Sequence, residues 1–308
     1  MRVLLVHNPK AGYEQADGLE LMKLIADAGH EAVYQSTEVD DFAAHFKEAW
    51  DAIVIAGGDG TVTRVLKLCA DGPVPLAVLP LGTANNVATA IGHTGALEDL
   101  INAWDPQSRR PVDMGMATGD WGRSRFAESF GVGLMAETIV MADKGNEEKA
   151  RAKFKTVAER LEAGIKVLRR RLKDLKPAKI SVRAPDGNHE GRFLWAEVST
   201  VGLVGPRMPI LENDDPGDGL LAYALLPVEE RDTLDTYLEH RQLGSAPRRT
   251  GLITGRAERL TVTWSGCEGH IDGRLLPGPA EKPGEKPGER TAELEIQPGA
   301  VQVLRLSR

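Results

Sequence analysis

Residues 57–61 read Gly-Gly-Asp-Gly-Thr. They lie between the apolar run Ala52-Ile53-Val54-Ile55-Ala56 and a segment, Val62–Cys69, whose apolar residues recur at helical spacing. A strand, a glycine turn and a helix N-terminus in that order make a phosphate cradle. Glycine lets the backbone turn tightly and approach a ligand with no Cβ in the way, and the helix start behind it offers unpaired N–H groups to anionic oxygens. Asp59, in the middle of the turn, would repel phosphate unless a cation stood between them, which points to a Mg-nucleotide.

Two further turns repeat the theme. Pro80-Leu81-Gly82-Thr83-Ala84-Asn85-Asn86 follows the buried-looking run Leu76–Leu79 and opens a helix, and Asn8-Pro9-Lys10-Ala11-Gly12 ends the first apolar run, Val3–His7. Three polar, glycine-bearing turns at the carboxyl ends of three strands occupy the place where ligands sit in open α/β sheets. Each pattern alone is common in purely structural turns; together and in this order they specify a site. The P-loop pattern G-x-x-x-x-G-K-[ST] does not occur, so a Walker-type NTPase is not expected.

With these motifs the sequence resembles the diacylglycerol kinase catalytic-domain family of lipid kinases, which includes sphingosine kinases and bacterial soluble lipid kinases. The family pattern N-P-x-S-G, G-G-D-G-T, P-x-G-T-x-N-D and a late Asp-Gly-Glu all have counterparts here, the last in His270-Ile271-Asp272-Gly273-Arg274. The resemblance implies ATP and Mg²⁺ as cofactors and transfer of the γ-phosphoryl to a lipid hydroxyl, with a diacylglycerol-type acceptor favoured. It implies that Gly57, Gly58, Asp59, Gly60, Thr61, Val62 and Thr63 hold phosphates and their cation. Asn8, Pro9, Lys10, Ala11 and Gly12 would lie beside the nucleotide, with Gly82, Thr83, Asn85 and Asn86 completing the pocket. Thr37 matches a nucleotide-contacting threonine by position, although a plain strand-end hydroxyl reads equally well. Asp272 is the expected general base, on the strength of its Asp-Gly dipeptide. Asp215, Asp218 and the Leu220 carbonyl resemble a remote structural cation site, for which an acidic turn without metal is an equal reading.

The positioning elements are legible in outline. Strands over 2–7, 31–36, 51–56 and 75–79 alternate with helical or turn segments, which reads as a doubly wound parallel sheet in a nucleotide-binding domain, 1–112. From about Arg110 the pattern becomes β-rich, with strands expected at 179–183, 193–201, 220–226, 260–264, 269–275 and 293–297. These suggest a sandwich-like lipid-substrate domain over 113–299, while 300–308 returns to the first domain. The resemblance implies the same α/β layout, as in NAD kinase and diacylglycerol kinase, with the nucleotide between the domains. Pro277–Glu289, with Glu-Lys-Pro-Gly written twice, reads as a low-complexity loop.

A basic helix is expected over 148–176. Phe154, Val157, Leu161, Ile165, Leu168, Leu172 and Leu175 form one apolar stripe. The segment Asp143–Lys179 carries +7 while the whole chain carries −7. Either the stripe packs on the sheet and the lysines and Arg169-Arg170-Arg171 are solvated, or the face touches an anionic membrane at roughly 1 kcal/mol per basic residue. The aromatic interleaving of a single-strand nucleic-acid binder is missing, so nucleic acid is not an expected partner. The only cysteines, Cys69 and Cys267, form no metal-ligand spacing. No run has the length of a membrane span, and the first apolar run is too short for a signal peptide, so a cytoplasmic protein, at most peripheral to the membrane, is expected. Nothing in the sequence specifies an oligomeric state.

Departures from the family pattern are of one kind. Ala11 stands for serine, Thr63-Arg64 for Asn-Glu, Asn86 for aspartate and Arg274 for glutamate, so carboxylates have gone and arginines have arrived. Either the site suits a more anionic acceptor, or it binds nucleotide with reduced turnover. The intact phosphate loops favour an active kinase over a non-catalytic nucleotide sensor. The full Pro80–Asn86 element argues against an NAD kinase.

Overall fold

The computed structural model describes residues 1–11, 17–39, 44–144, 156–211, 214–245, 249–278 and 288–307. Strands β1 (Arg2–His7), β2 (Glu31–Ser36), β3 (Ala52–Gly57) and β4 (Leu76–Pro80) make a parallel sheet in the order β4-β3-β1-β2. Every residue of β3 is buried, as an apolar strand covered on both faces requires. Alternate residues serve the two faces. Val3 and Leu5 pack against α1 (Gly18–Asp27) and α4 (Leu97–Asn102). Leu4 and Val6 share a core with Val62, Val65 and Val87 of α2 (Asp59–Cys69) and α3 (Asn86–Ala90).

The chain then turns to antiparallel strands: β5 (Trp104–Gly119), β6 (Gly122–Phe126) and β7 (Ser129–Gly133). Helices α5 (Leu134–Lys144) and α6 (Val157–Asp174) follow, then β8 (Ala178–Ala184), β9 (Gly187–Ser199), β10 (Leu203–Val204), β11 (Met208–Pro209) and β12 (Leu221–Pro227). Helix α7 (Arg231–Gln242) leads to β13 (Ile253–Ala257), β14 (Arg259–Ser265), β15 (Gly269–Ile271), β16 (Arg274–Leu275) and β17 (Arg290–Leu306). The main path runs β16-β15-β7-β9-β8-β14-β17 and continues into β4. Strand β17 makes that continuity: it pairs antiparallel with β14 and β5, and Val303 bridges Leu76 of β4 in parallel. One core of this region gathers Phe126, Phe130 and Trp264. A second, with Ile165, Leu168, Leu172, Trp195 and Leu234, lies where α5, α6 and α7 cover the sheet.

The fold is thus the expected mixed α/β class, a parallel core joined to an antiparallel region. Three local features differ from the sequence reading. The late strand expected over 269–275 is a hairpin, because Asp272 and Gly273 both take positive φ, +46° and +71°, as a two-residue primed turn demands. Strands β5 to β7 occupy a stretch whose glycines and charges hid their alternation. The basic helix begins after Thr156, whose side chain caps Glu159 N–H while Glu159 returns the bond, a capping box. Phe154 and the start of the expected helix lie outside the described residues. Of the three arginines, Arg169 is held by Asp235 and Glu239 of α7, and Arg171 by Glu137 of α5. Those two therefore tie the helix to its neighbours, and the exposed positive charge falls to Lys166, Arg170, Lys173 and Lys176.

Candidate functional site

The two glycine turns touch backbone to backbone. A Cβ on Gly82 would lie 2.5 Å from Gly58 Cα, and one on Gly58 would lie 3.0 Å from Gly82 Cα, so neither position has room for a side chain. Leu81 N–H donates to Gly57 O at 3.0 Å, which ties the turns together. Gly58 caps α2, whose first N–H groups, those of Asp59 and Gly60, have no intrahelical acceptor. A Cβ on Gly60 would meet nothing within 4 Å, so the helix start faces open space. This is the cradle that a polyphosphate needs.

The third turn joins through its side chain. Asn8 Nδ2 donates to Thr61 Oγ1 at 2.9 Å, while Asn8 Oδ1 accepts from Lys10 N–H. The Lys10 ammonium reaches Glu38 at 2.5 Å, close to Thr37, whose N–H pairs with His7 O at the mouth of β2. Asn85, with φ +51°, spends its side chain on the turn itself: Oδ1 accepts from Gly82 N–H and Nδ2 donates to Gly82 O. Val62 and Thr63 turn into the core, so any part they play is through backbone or helix position.

Behind the cradle lies a group of carboxylates. Asp59 Oδ1 accepts from Val87 N–H at the start of α3, and burial raises its pKa while the N–H groups of Val87, Asn85 and Asn86 oppose the shift. Glu128, between β6 and β7, is pushed well above the usual carboxylate range, first by burial and then by the charge of Asp59. Asn86 works the other way, its Nδ2 donating to Glu128 Oε1 at 2.7 Å and to Gly205 O. Asn86 Oδ1 is buried without a partner among the described residues.

Asp272 holds this group in place. Its Oδ1 accepts from Glu128 N–H at 2.9 Å and Ser129 N–H at 3.1 Å, and Ala127 N–H lies 3.2 Å from Oδ2. Lys67 Nζ of α2 stands 2.5 Å from Oδ2, and the side chain is only 3 % exposed. The carboxylate is thus filled by three backbone donors and an ammonium from across the site. Arg274, expected on the same face as Asp272, is exposed beyond the turn, and Lys67 is the cation that meets the aspartate.

Beside the carboxylates opens a cavity of about 390 Å³. Its walls are apolar, with Met135 and Ile139 from α5 and Leu161, Val167 and Leu168 from α6. Its floor is polar, with Glu128, Ser129, Glu197 and His270, and Thr83 and Ala84 of the second glycine turn form part of its rim. Arg160 of α6 reaches over to Thr83 Oγ1 at 3.5 Å. An apolar slot that ends in carboxylates next to a phosphate cradle can place an amphiphile's hydroxyl beside a nucleotide.

A model of the diacylglycerol kinase catalytic domain matches residues 2–117, which contain all three turns. That segment is similar to the diacylglycerol kinase catalytic domain. The chain is 26% identical over 237 residues to the diacylglycerol kinase of Bacillus subtilis (strain 168), covering 73% of each chain. It is also 26% identical over 311 residues to the protein named "Probable lipid kinase YegS-like" of Pseudomonas aeruginosa (strain UCBPP-PA14), covering 98% of this chain and 93% of that one. Among solved structures, a diacylglycerol kinase from Bacillus anthracis str. Sterne shares the fold with a TM-score of 0.68 at 18% identity, over 98% of this chain and 96% of that one.

Two features of the site go beyond what the motifs announce. Glu128 and Glu197 belong to no motif, and His270 stood in the late Asp-Gly element with no role of its own, yet all three line the cavity floor; the signal for Glu197 was a lone carboxylate inside the apolar run Phe193–Val198. The remote acidic turn is internally satisfied. Asp215 Oδ1 accepts from Arg110 at 2.6 Å and from Gly217 N–H, and Asp218 Oδ1 accepts from the N–H of Leu220. Among the described residues no three acidic, His or Cys side chains gather as a metal set. Gly12 lies outside the described residues. None of the described helices is long and apolar enough to cross a membrane.

Proposed function

We propose that the protein is an ATP-dependent lipid kinase that transfers the γ-phosphoryl of Mg-ATP to a lipid hydroxyl, the diacylglycerol-type class being the one its motifs suggest and the cavity floor the part that decides among head groups. The observation that carries the reading is the cavity itself, apolar along α5 and α6 and ending at Glu128 and Thr83 against the phosphate cradle. The phosphates fit the open space before the start of α2, where a Cβ on Gly60 would meet no protein atom. Asp59, at the start of α2 inside the cradle, would be the carboxylate that holds Mg²⁺, which is usually bound by one or two carboxylates together with the phosphates. When bound, the ion would neutralise charge that builds on the transferring group.

The chain's own residues then divide the work. The N–H groups at the start of α2 receive the phosphates, and Asn8 keeps Thr61 in register with them. Glu128 lines the cavity and is the carboxylate we assign to accept the proton of the acceptor hydroxyl, because it stands where the apolar slot meets the cradle. Asp272, expected from the sequence as that base, has its lone pairs committed to N–H groups and Lys67, and we assign it to positioning Glu128. The exposed basic residues of α6 would face an anionic bilayer from which the acceptor enters.

Gly164 gives the test. It lies inside α6, where glycine costs about 1 kcal/mol relative to alanine, and it lines the cavity. Its Cβ would come no closer than 3.4 Å to Pro206. Gly164→Leu should therefore fold, bind ATP as wild type does and lose lipid phosphorylation. Unchanged lipid phosphorylation in that variant would remove the cavity from the account.

A further inference from the structure

The cavity floor holds a polar arrangement that phosphoryl transfer does not require. Glu197, on β9, is 1 % exposed and lies in the sheet between Ala196 and Val198. Its Oε2 takes two donors. Trp195 Nε1–H donates at 2.8 Å, and His270 Nε2 stands at 3.3 Å with hydrogen-bonding geometry. Its Oε1, 3.2 Å from the same ring nitrogen, has no hydrogen-bond partner among the described residues. His270, 3 % exposed, also leaves Nδ1 unpartnered. In the neutral imidazole that gives Nε2–H to Glu197, Nδ1 is an acceptor. Both residues line the cavity beside Glu128.

The space is built by sequence. A Cβ on Gly131 would lie 1.9 Å from Glu197 Oε2 and 2.7 Å from His270 Nε2, so only glycine on β7 lets the pair stand there. A buried acceptor without a donor is destabilising, more so when it is charged. Native proteins carry few such groups, and each calls for an explanation such as a bound water, ion or ligand. Two lie together here, at the polar end of an otherwise apolar slot.

We infer that Glu197 and His270 select acceptors whose head group carries a second hydrogen-bond donor besides the hydroxyl that is phosphorylated. This inference rests on the lipid-kinase reading and narrows it. One head-group hydroxyl meets Glu128, and the second donor, O–H or N–H, meets the free acceptors of Glu197 and His270. A diacylglycerol, whose single hydroxyl would be spent at Glu128, leaves them bare; a monoacylglycerol or a long-chain amino alcohol supplies the missing donor. A pocket built to hydrogen-bond a group rejects ligands that lack it far more strongly than it rejects a change of one methylene.

Trp195 touches Glu197 directly and serves as the reporter. Intrinsic fluorescence of the wild type, less that of Trp195→Phe, is titrated without ATP using short-chain monoacylglycerol, diacylglycerol, amino alcohol and 1-alkanol. The two-donor lipids should bind the wild type at least about tenfold tighter than the one-donor lipids. Glu197→Gln and His270→Gln should each narrow that gap, and the better of the two-donor lipids identifies the donor as O–H or N–H. Equal affinity of the wild type for monoacylglycerol and diacylglycerol overturns the inference while leaving the lipid-kinase reading intact. Binding of no lipid at all overturns both, and the wild-type comparison stands even if a variant fails to fold.

Discussion

Replacing Gly82 with alanine inserts one methyl group between the two glycine turns. The new Cβ would lie 2.5 Å from Gly58 Cα and 2.6 Å from Asn85 Oδ1, whereas ordinary contact begins at 3.4 Å. The neighbour on one side is backbone, so the turns must part by roughly 1 Å. Overpacking of this kind costs about 1–3 kcal/mol. A 1 Å displacement of catalytic groups can cost about 10²-fold in rate. Gly82→Ala should thus unfold at lower urea concentration than wild type, bind ATP weakly by calorimetry, and turn over at least about a hundredfold more slowly. Gly60→Ala separates cradle from packing. Its Cβ meets nothing and it sits in the first turn of α2, so stability should hold or rise by about 0.4–1 kcal/mol. ATP affinity should nevertheless fall, because the methyl occupies the space proposed for phosphate. Wild-type ATP affinity and stability in Gly82→Ala would refute the contact between the turns, and wild-type ATP affinity in Gly60→Ala would refute the placement of the phosphates.

Other perturbations follow from the same geometry. Asp272→Asn turns an amide toward Ala127, Glu128 and Ser129 and strands Lys67, so urea unfolding should show a loss of about 3 kcal/mol; a loss below about 0.5 kcal/mol would mean the anchor is not needed. His93 is buried, accepts Val78 N–H on Nδ1 and faces Leu304 O through Nε2, and burial lowers its pKa from 6.5. The unfolded chain therefore takes up a proton first as pH falls, so stability present above pH 6.5 should decline between 6.5 and 5.5, and decline less in His93→Gln; a flat melting temperature in the wild type over that range contradicts this. His7 and His30 shift in the same direction. Sedimentation with anionic vesicles should retain the protein at low salt and release it at high salt, and Arg170→Gln with Lys173→Gln should weaken retention. Retention indifferent to both salt and substitution would leave α6 as a packing element.

The parts of the site that could be read from the sequence are those whose constraints are local. Gly57, Gly58 and Gly82 each sit just after an apolar strand and before a helix, so the backbone requirement shows in the sequence itself. The cavity floor depends on pairings between distant strands: Glu128 precedes β7, Glu197 is on β9 and His270 on β15, and β7 lies between the other two. No spacing announces that meeting. Asp272 illustrates a different limit. Its dipeptide with Gly273 fits both a general base and a hairpin turn, and only the positive φ pair and the three N–H donors from residues 127–129 show the turn holding a carboxylate. The arginines of α6 read as a charged face because their partners, Asp235, Glu239 and Glu137, are far along the chain and invisible to helical periodicity.

In the proposed reaction, phosphoryl moves from ATP in the glycine cradle to a hydroxyl at Glu128. This transfer is tested by incubating the protein with terminally labelled ATP, Mg²⁺ and lipid acceptors, and following label into the lipid phase. Labelled lipid is expected with the wild type, and with Glu128→Gln unchanged ATP affinity but a rate lower by about 10²–10⁴-fold, as follows when a positioned base is lost. Label that stays entirely in nucleotide while ATP binds normally, or wild-type transfer by Glu128→Gln, would contradict the proposed reaction.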